Sequence, residues 1–592
     1  MKSINIFAPV MILGMSLYSC TDFLDISPKD QLTTATTFSS YEGIKTYAWQ
    51  FYEAFPAYNS SILDSENDTD LGARSRKNTE SSWIWQKVTI PTNTGNYSTP
   101  FQNIRAINIL LENLDNAEIS DTEKKHWKSV AYLFKAYNYI DLVNKYGDIT
   151  WVENNLKDDD QEILFGPRTP RDEIAIKIIE LLQYAETNIN PVGDGENTVN
   201  IHVVRALISR FGLREGTWRK YHGLSDHDTY LNACIKASES LLESYPKIMT
   251  NYSEVFNSAS LAGKDGIILY KQYELNQVTH VLSTYPKSAS GRWDLTRKAI
   301  DMYLMRDGQT RWTSPTFHGE DTPYKEFRNR DFRLYFTTPP PYKVIAPGST
   351  VNYTHTTNPA DSEYFAIMDS LSPDGMKALP MRNWNGFVVR KVPHFDENND
   401  GQAYNVTYTG YQLMKFSSRL NETISSKDIN DAPIFRIEEV MLNYAEAKKE
   451  LGEFNQFICD NTINKLRNRG GVAGLNLTNI PDDPTRDPTV DPEMWEIRRE
   501  RAVELMAEGS RFDDLRRWKK MEYATERKLG RWIVKAEENN KIPTLNNSAA
   551  GYVSYEGVPP TPFPDHYYLY PVPSNQIILT SGVITQNPGW EQ

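Results

Sequence analysis

The segment from Lys128 to Asn144 constrains the fold more than any other. It carries Val130, Ala131, Leu133, Phe134, Ala136, Tyr137, Ile140, Leu142 and Val143, so apolar side chains cover most of the circumference of a helix. Such a helix is stable only with other elements on several sides, and the chain around it supplies them. From about 38 to 245, helical periodicities follow one another with short breaks. Thr169-Pro170-Arg171-Asp172 reads as a helix start, with a cap hydroxyl, a proline at the first helical position and an acid close behind. The helix it opens has Ile174, Ile178, Leu181, Ala185 and Ile189 on its core face and stops at Asn190-Pro191. A further pair is expected at about 201–219 and 228–244. Paired antiparallel helices of this length predict a mainly α protein with a tetratricopeptide-like helical-repeat scaffold, although no strict repeat signature recurs.

From about 246 to 430 the pattern changes. Pro339-Pro340-Pro341, clusters of Gly and Asn, and short strand-like runs such as Ile267–Tyr270 and Phe387–Val392 replace it, with an isolated helix expected at Leu295–Met305. Long irregular loops inside a compact protein commonly carry function. Helices are expected again at about 434–452, 457–468 and 491–521, followed by a proline-rich tail. The expectation is a single large domain over 20–592. Its helical repeats span about 38–245, a loop-rich ligand-binding region 246–430, and C-terminal helices with a closing segment 431–592.

The beginning of the chain is of a different kind. Met11–Ser19 is a short apolar run entered from a single cation at Lys2. It is too short for a membrane span and reads as the core of a signal peptide over 1–19. Leu17 and the small Ser19 before Cys20 resemble a bacterial lipoprotein signal, in which the Cys is lipidated and holds the mature chain on a bilayer. An ordinary secretory signal would leave Cys20 incidental. No later apolar stretch approaches spanning length.

A net charge of −13 argues against a nucleic-acid partner, which needs a basic surface. Cys234 and Cys459 sit among helix formers, where a free Cys behaves as a small buried apolar group, and no Cys/His cluster suggests zinc. Asp396-x-Asn398-x-Asp400-Gly401 begins like a calcium loop, but Thr407 stands where a bidentate Glu is required. It reads as a solvated turn, with calcium the weaker alternative, and no other metal or cofactor is expected. Neither G-x-S-x-G, H-E-x-x-H nor a phosphate-binding glycine loop occurs, so no enzyme is expected. The Arg/Glu-rich stretch Arg498–Glu508 reads as scaffolding. Asp491-Pro492 is its cap, Gly509 its stop, and Glu496–Arg499 and Arg501–Glu504 are pairs along one helix. Ser510 and Asp513 offer a capping-box-like start for the next helix.

The aromatic content is more telling: 34 Tyr and 13 Trp. Their flat faces and polar edges suit stacking on sugar rings or gripping peptides. Asp64-x-Glu66-x-Asp68-x-Asp70, followed by Arg74, reads as an exposed acidic loop leading to Trp83-x-Trp85. That spacing places one indole inward and one outward. His280–Trp293 reads as a second loop, with Tyr285 and Trp293 beside Ser288, Ser290 and Gly291; Trp293 is a ligand contact or a packing anchor.

The C-terminal third carries a resemblance. Ile437-Glu438-Glu439-Val440-Met441-Leu442-Asn443-Tyr444-Ala445-Glu446-Ala447 resembles one signature helix of the SusD/RagB-type outer-membrane lipoproteins of the Bacteroidetes. Ile497–Leu505 followed by Glu508–Trp518 resembles their most specific motif. Leu569-Tyr570-Pro571-Val572-Pro573 and Thr585–Gly589 resemble their closing segment, and Cys20–Asp25 with Pro28 their mature start. Tyr146-Gly147-Asp148 and Asn329–Leu334 also fit. Ile149-Thr150 departs where a Pro is usual, and Phe101 where a Trp often stands.

The resemblance implies a non-catalytic lipoprotein on the outer membrane, anchored at Cys20 and facing outward. It implies capture of an oligosaccharide or polysaccharide, or in some members a peptide, for a partner SusC-like TonB-dependent transporter. It also implies that Trp83 or Trp85 supplies a stacking face, Asp68 and Arg74 bond the ligand, and Tyr285 and Trp293 add contacts. A structural component of the transporter assembly and a lipid-anchored hydrolase are the rival readings.

Overall fold

Local signals set the helix ends, and packing then sets the fold. The computed structural model describes residues 37–74, 80–283, 293–340, 342–345, 354–355, 359, 363–364, 367, 391–392, 394–395, 406–418, 427–538 and 540–591. Helix α1 (Tyr41–Ala48) starts from Ser40, whose side chain accepts from the Gly43 N–H. α2 (Ser60–Glu66) starts from Asn59, and α3 (Gly95–Leu114) from Thr94, in the same way. α4 (Asp121–Tyr146) opens on a reciprocal capping box between Ser120 and Glu123. It contains the whole Lys128–Asn144 segment, with Val130, Leu133, Phe134, Leu142 and Val143 buried.

α5 (Arg171–Asn188), α6 (Ile201–His222) and α7 (His227–Ser244) complete the N-terminal series. α4 packs against both α3 and α5, and α6 packs along α7, giving the tetratricopeptide-like array. α6 and α7 approach closely because α6 carries Gly212 and Gly216. A Cβ on Gly212 would lie 2.6 Å from the Tyr230 carbonyl oxygen, and one on Gly216 2.7 Å from Leu231 Cγ.

The start of α5 differs from expectation. Pro170 is the cap residue rather than the first helical one. Thr169 instead bridges to Ile149, and its hydroxyl accepts from the Trp151 N–H at 3.1 Å. The cap comes from the preceding loop, where the Asp148 carboxylate accepts from the Arg171 N–H at 2.9 Å. The expected core face holds, with Ile174, Ile178, Leu181, Ala185 and Ile189 all buried.

Strands are few and short. β1 (Gly72–Arg74), β2 (Ile267–Lys271), β3 (Trp293–Leu295) and β4 (Ala432–Arg436) form two antiparallel pairs, β1 with β3 and β2 with β4. The helix expected at Leu295–Met305 shrinks to Arg297–Met302 because β1 recruits Trp293–Leu295 into a strand.

In the C-terminal part, α8 (Ile437–Glu450) packs on α6, α7 and α9 (Pro492–Glu504). The helix expected at 457–468 is two, Gln456–Asn461 and Ile463–Arg469, broken at Thr462. The one expected at 491–521 is also two, α9 and α10 (Arg511–Arg517), with Gly509 at φ +80° in the turn between them. Asp491 caps α9 as expected, accepting from the Glu493 and Met494 N–H groups. Ser510 makes no side-chain cap bond; Asp513 is taken by Arg214 and Arg516 instead.

The scaffold reading of α9 stands, with one pairing corrected. Glu496 and Arg499 do pair, at 3.2 Å. Arg501 bonds Asp514 at 2.8 Å rather than Glu504. Glu504 is fully buried and accepts from Arg333, Arg436 and Arg469 at 3.0, 2.7 and 2.5 Å. Glu446 of α8 accepts from Arg517 and from the Trp518 indole N–H. These buried pairs tie elements together at several points, and removing one member leaves an uncompensated charge. Cys234 and Cys459 are buried, and burial pushes both thiols up to about 12.

No helix among the described residues is long and apolar enough to cross a membrane. Cys20, Tyr285 and the Asp396–Gly401 turn lie outside the described residues.

Candidate ligand-binding surface

The acidic segment is folded rather than splayed into solvent. α2 runs on to Glu66, and Thr69 closes the turn after it, donating to the Glu66 carbonyl at 2.8 Å and accepting from the Leu71 N–H at 3.1 Å. Glu66 and Asp70 are buried, which corrects the expectation of an exposed acidic loop. Asp70 accepts from Nε and Nη2 of Arg511, each at 2.9 Å. Burial opposes its ionisation, but Arg511 and Lys298 outweigh it and hold the carboxyl well below the ordinary range. Glu66 accepts from the Gly509 N–H at 3.1 Å, and there burial wins, pushing its carboxyl up to about 7.

Of the two tryptophans, Trp83 is the inward one. It is 7% exposed, and its ring packs against Phe512, Tyr567 and Tyr570 at centroid distances of 5.7, 5.5 and 4.5 Å. A ring so enclosed offers no face to a ligand, so Trp83 is corrected to a core residue. Trp85 closes a helical turn on Ser81, its N–H donating to the Ser81 carbonyl at 2.9 Å. Two residues along such a turn lie on nearly opposite faces, and Trp85 emerges half-buried.

That ring is held from three directions. Gln86 is in the left-handed region at φ +54°, and its side-chain amide donates to the carbonyls of Pro560 and Pro562 at 3.0 and 3.1 Å. Gly557 lets the backbone approach the ring: a Cβ there would lie 3.3 Å from Trp85 Cη2. The exposed Lys87 ammonium stands 5.2 Å from the ring centroid. Asp68, expected to contact ligand, accepts from the Ser81 hydroxyl. Burial raises its carboxyl. It braces the Trp85 turn from within.

Beside Trp85 the surface is polar. Asn67, Arg74, Ser81, Trp85, Lys528 and Glu556 surround an indentation of about 10 Å3. That is room for about one water molecule, so a ligand would lie across this surface rather than enter it. Arg74 is exposed and reaches Asp64 at 3.3 Å. It pairs in register with Trp293, whose indole N–H donates to the same Asp64 oxygen at 3.2 Å. The structure thus brings Trp85, Arg74 and Trp293 onto one surface and removes Trp83. Asp64, Lys528 and Glu556 were not among the ligand contacts expected from sequence. Asp64 was visible in the acidic run, whereas nothing local marks Lys528 or Glu556. Trp312, 38% exposed with the Arg311 guanidinium 4.4 Å from its ring, is a further exposed aromatic without a sequence signal. Among the described residues no group of His, Cys, Asp or Glu is arranged to hold a metal.

Residues 255–590 match the SusD family, and residues 22–190 match a family described as starch-binding and associating with the outer membrane. The chain belongs to the SusD family. Its fold is that of a SusD-like protein from Bacteroides fragilis, 19% identical with a TM-score of 0.67 over 95% of this chain and 100% of that one. A SusD-like carbohydrate-binding protein of the same species is 18% identical, with a TM-score of 0.67 over 92% and 99%. Surface glycan-binding protein A from Bacteroides thetaiotaomicron, solved in complex with laminarihexaose, is 16% identical, with a TM-score of 0.57 over 92% and 99%. Comparison with curated proteins gives no match. At these identities the likenesses speak to the shared helical SusD architecture.

Proposed function

We propose that this SusD-family protein is a non-catalytic receptor that holds an oligosaccharide on the Trp85 surface. It does so at the outer membrane, anchored through Cys20, and passes the glycan to a partner TonB-dependent transporter. The observation that carries the reading is a half-buried indole, on a turn tied down by Gln86 and closely approached by Gly557, on a surface shared with Arg74, Asp64 and Trp293. A sugar ring offers an apolar face for the indole and hydroxyls for charged groups beside it, where charge-assisted hydrogen bonds are strong. The starch-binding description matched by residues 22–190 and the laminarihexaose complex of the Bacteroides thetaiotaomicron protein support a glycan.

Affinity electrophoresis of the purified protein against neutral polysaccharides tests it. Retardation by one glycan, lost in Trp85→Ala, is expected. No retardation by any of a broad panel of glycans, while a peptide is bound, would replace the glycan with a peptide ligand.

A further inference from the structure

The exposed Trp312 is the outermost of three aromatic rings that the fold gathers beyond the Trp85 surface. β5 (Trp532–Val534) and β6 (Ala550–Tyr552) form an antiparallel pair in which Trp532 stands directly opposite Tyr552. Ile533 and Val553 are buried with Ile542 in a small core of their own. The alternation of a strand therefore turns Trp532 and Tyr552 to the other face, where both are half-buried. Side chains paired in this way have Cβ atoms about 5 Å apart.

Arg311 joins Trp312 to this pair. Its guanidinium lies 4.4 Å from the centre of the Trp312 ring, and its Nη2 donates to the Tyr552 hydroxyl at 3.3 Å. The same group meets Asp301 at 2.8 Å and Glu320 at 2.6 Å, and only 8% of its side chain is accessible. Glu320 also accepts from the Tyr552 hydroxyl at 2.6 Å. Arg297 pairs with Asp301 and Glu320 at 3.0 and 3.2 Å, and it holds Glu326 as well. Every charge in this cluster thus has a partner of opposite sign. The cluster fixes the rings in place and selects no ionic ligand. What it presents outward is ring surface beside the partly accessible Glu320, and such a surface suits the apolar face and hydroxyl edge of a neutral sugar.

The patch adjoins the Trp85 surface. Lys528 and Glu556 border the indentation beside Trp85, and Trp532 and Tyr552 lie four residues from them along the chain. Four residues span at most roughly 14 Å. Between the two places the Gly530 N–H donates to the Val553 carbonyl at 2.8 Å and the Val553 N–H to the Arg531 carbonyl at 2.9 Å, which holds the segments side by side. Leu529, Ser554 and Tyr555 there are half-buried rather than buried.

We propose that Trp312, Tyr552 and Trp532 form a second stacking platform for the glycan held at Trp85, so that the ligand is a neutral polysaccharide gripped at two points. This rests on the glycan reading of the Trp85 surface. Once one platform is occupied, the other meets the same chain at a high effective concentration, and the loss of either is felt by the polymer as a whole.

Affinity electrophoresis of wild type, Trp85→Ala, Trp312→Ala and Trp312→Phe against soluble starch, laminarin and xylan tests this. At least one polymer retards the wild type. Trp312→Ala weakens that retardation at least about tenfold, with its melting temperature unchanged because the ring is exposed. Trp312→Phe, which keeps a flat ring, recovers most of the loss. Wild-type retardation of Trp312→Ala, with retardation lost in Trp85→Ala, overturns the second platform and leaves the Trp85 reading intact. Loss in Trp312→Ala with Trp85→Ala unaffected overturns both the shared chain and the Trp85 reading. No retardation of the wild type by any of the three polymers overturns the proposal together with the reading on which it rests.

Discussion

Arg511 grips Asp70 with two hydrogen bonds, Nε to one carboxylate oxygen and Nη2 to the other, each 2.9 Å long, across 441 positions of sequence. This bond fixes the turn after α2, and with it β1 and Arg74, to α10 in the C-terminal scaffold. Removing one member of a buried pair typically costs about 3–5 kcal/mol. Arg511→Ala is expected to lower unfolding stability by about that much in a urea titration. Arg511→Lys should recover only part of it, because an ammonium cannot make the two-pronged contact. A loss in Arg511→Ala within the error of the titration would show that the pair is not structural.

Trp83 and Trp85 should separate stability from binding. Trp83→Ala empties a packed aromatic site and is expected to cost about 3–5 kcal/mol in stability. Trp85→Ala should leave the melting temperature nearly unchanged. It should weaken retardation by the bound glycan at least about tenfold, or about 1.4 kcal/mol. The reverse pattern would place the ligand elsewhere.

Glu66 gives a pH dependence with a definite sign. Its carboxyl lies at about 7 in the fold against an ordinary 4.5, so the folded chain holds this proton more tightly than the unfolded chain. Between those values its contribution to stability falls as pH rises, reaching its most unfavourable level above about 7. The span corresponds to at most about 3 kcal/mol. Glu66→Gln retains an oxygen to accept from the Gly509 N–H and removes the titration. The variant should match wild type near pH 4 and exceed it near pH 8, by chemical denaturation. His222, drawn down to about 4 by burial, loses stability in the opposite direction, as pH falls from 6.5. The comparison is therefore the difference between variant and wild type. A difference that does not change with pH would refute the assignment.

What could be read from the sequence follows the range of each interaction. The helices of the N-terminal half announce themselves through apolar spacing and caps, as α4 does with Ser120 and Glu123, because those signals lie within a few residues. The family motifs likewise sit on α8, α9 and α10. Glu66 and Asp70 looked like solvent-facing acids because their partners, Gly509 and Arg511, lie at the other end of the chain. The spacing of Trp83 and Trp85 shows that one ring turns in, but only the Phe512–Tyr567–Tyr570 cluster decides which. Trp293 became part of a strand because β1, far upstream, pairs with it. The surface is thus half legible: its aromatic came from the family resemblance, while Lys528 and Glu556 arrive by long-range folding.

Glu504 allows a test of the scaffold itself. Three guanidinium groups meet its carboxylate in the interior. Glu504→Gln, nearly the same in shape, leaves them with less compensating charge and is expected to cost about 3–5 kcal/mol. The loss should persist at high salt, since buried charges are screened far less than exposed ones. A loss that disappears in salt would mean that water reaches the cluster.

The clasp of Gln86 on Pro560 and Pro562 has a consequence in time. The ring beside Gln86 is synthesised long before its mooring, which follows Gln86 by 474 and 476 positions. A molecule clipped after residue 540 would lack Gly557, Pro560 and Pro562, and its Trp85 turn would lose that support. If the Trp85 surface holds a ligand as proposed, that competence waits until the 557–562 segment has been made and folded back, and a copy lacking it should not bind there.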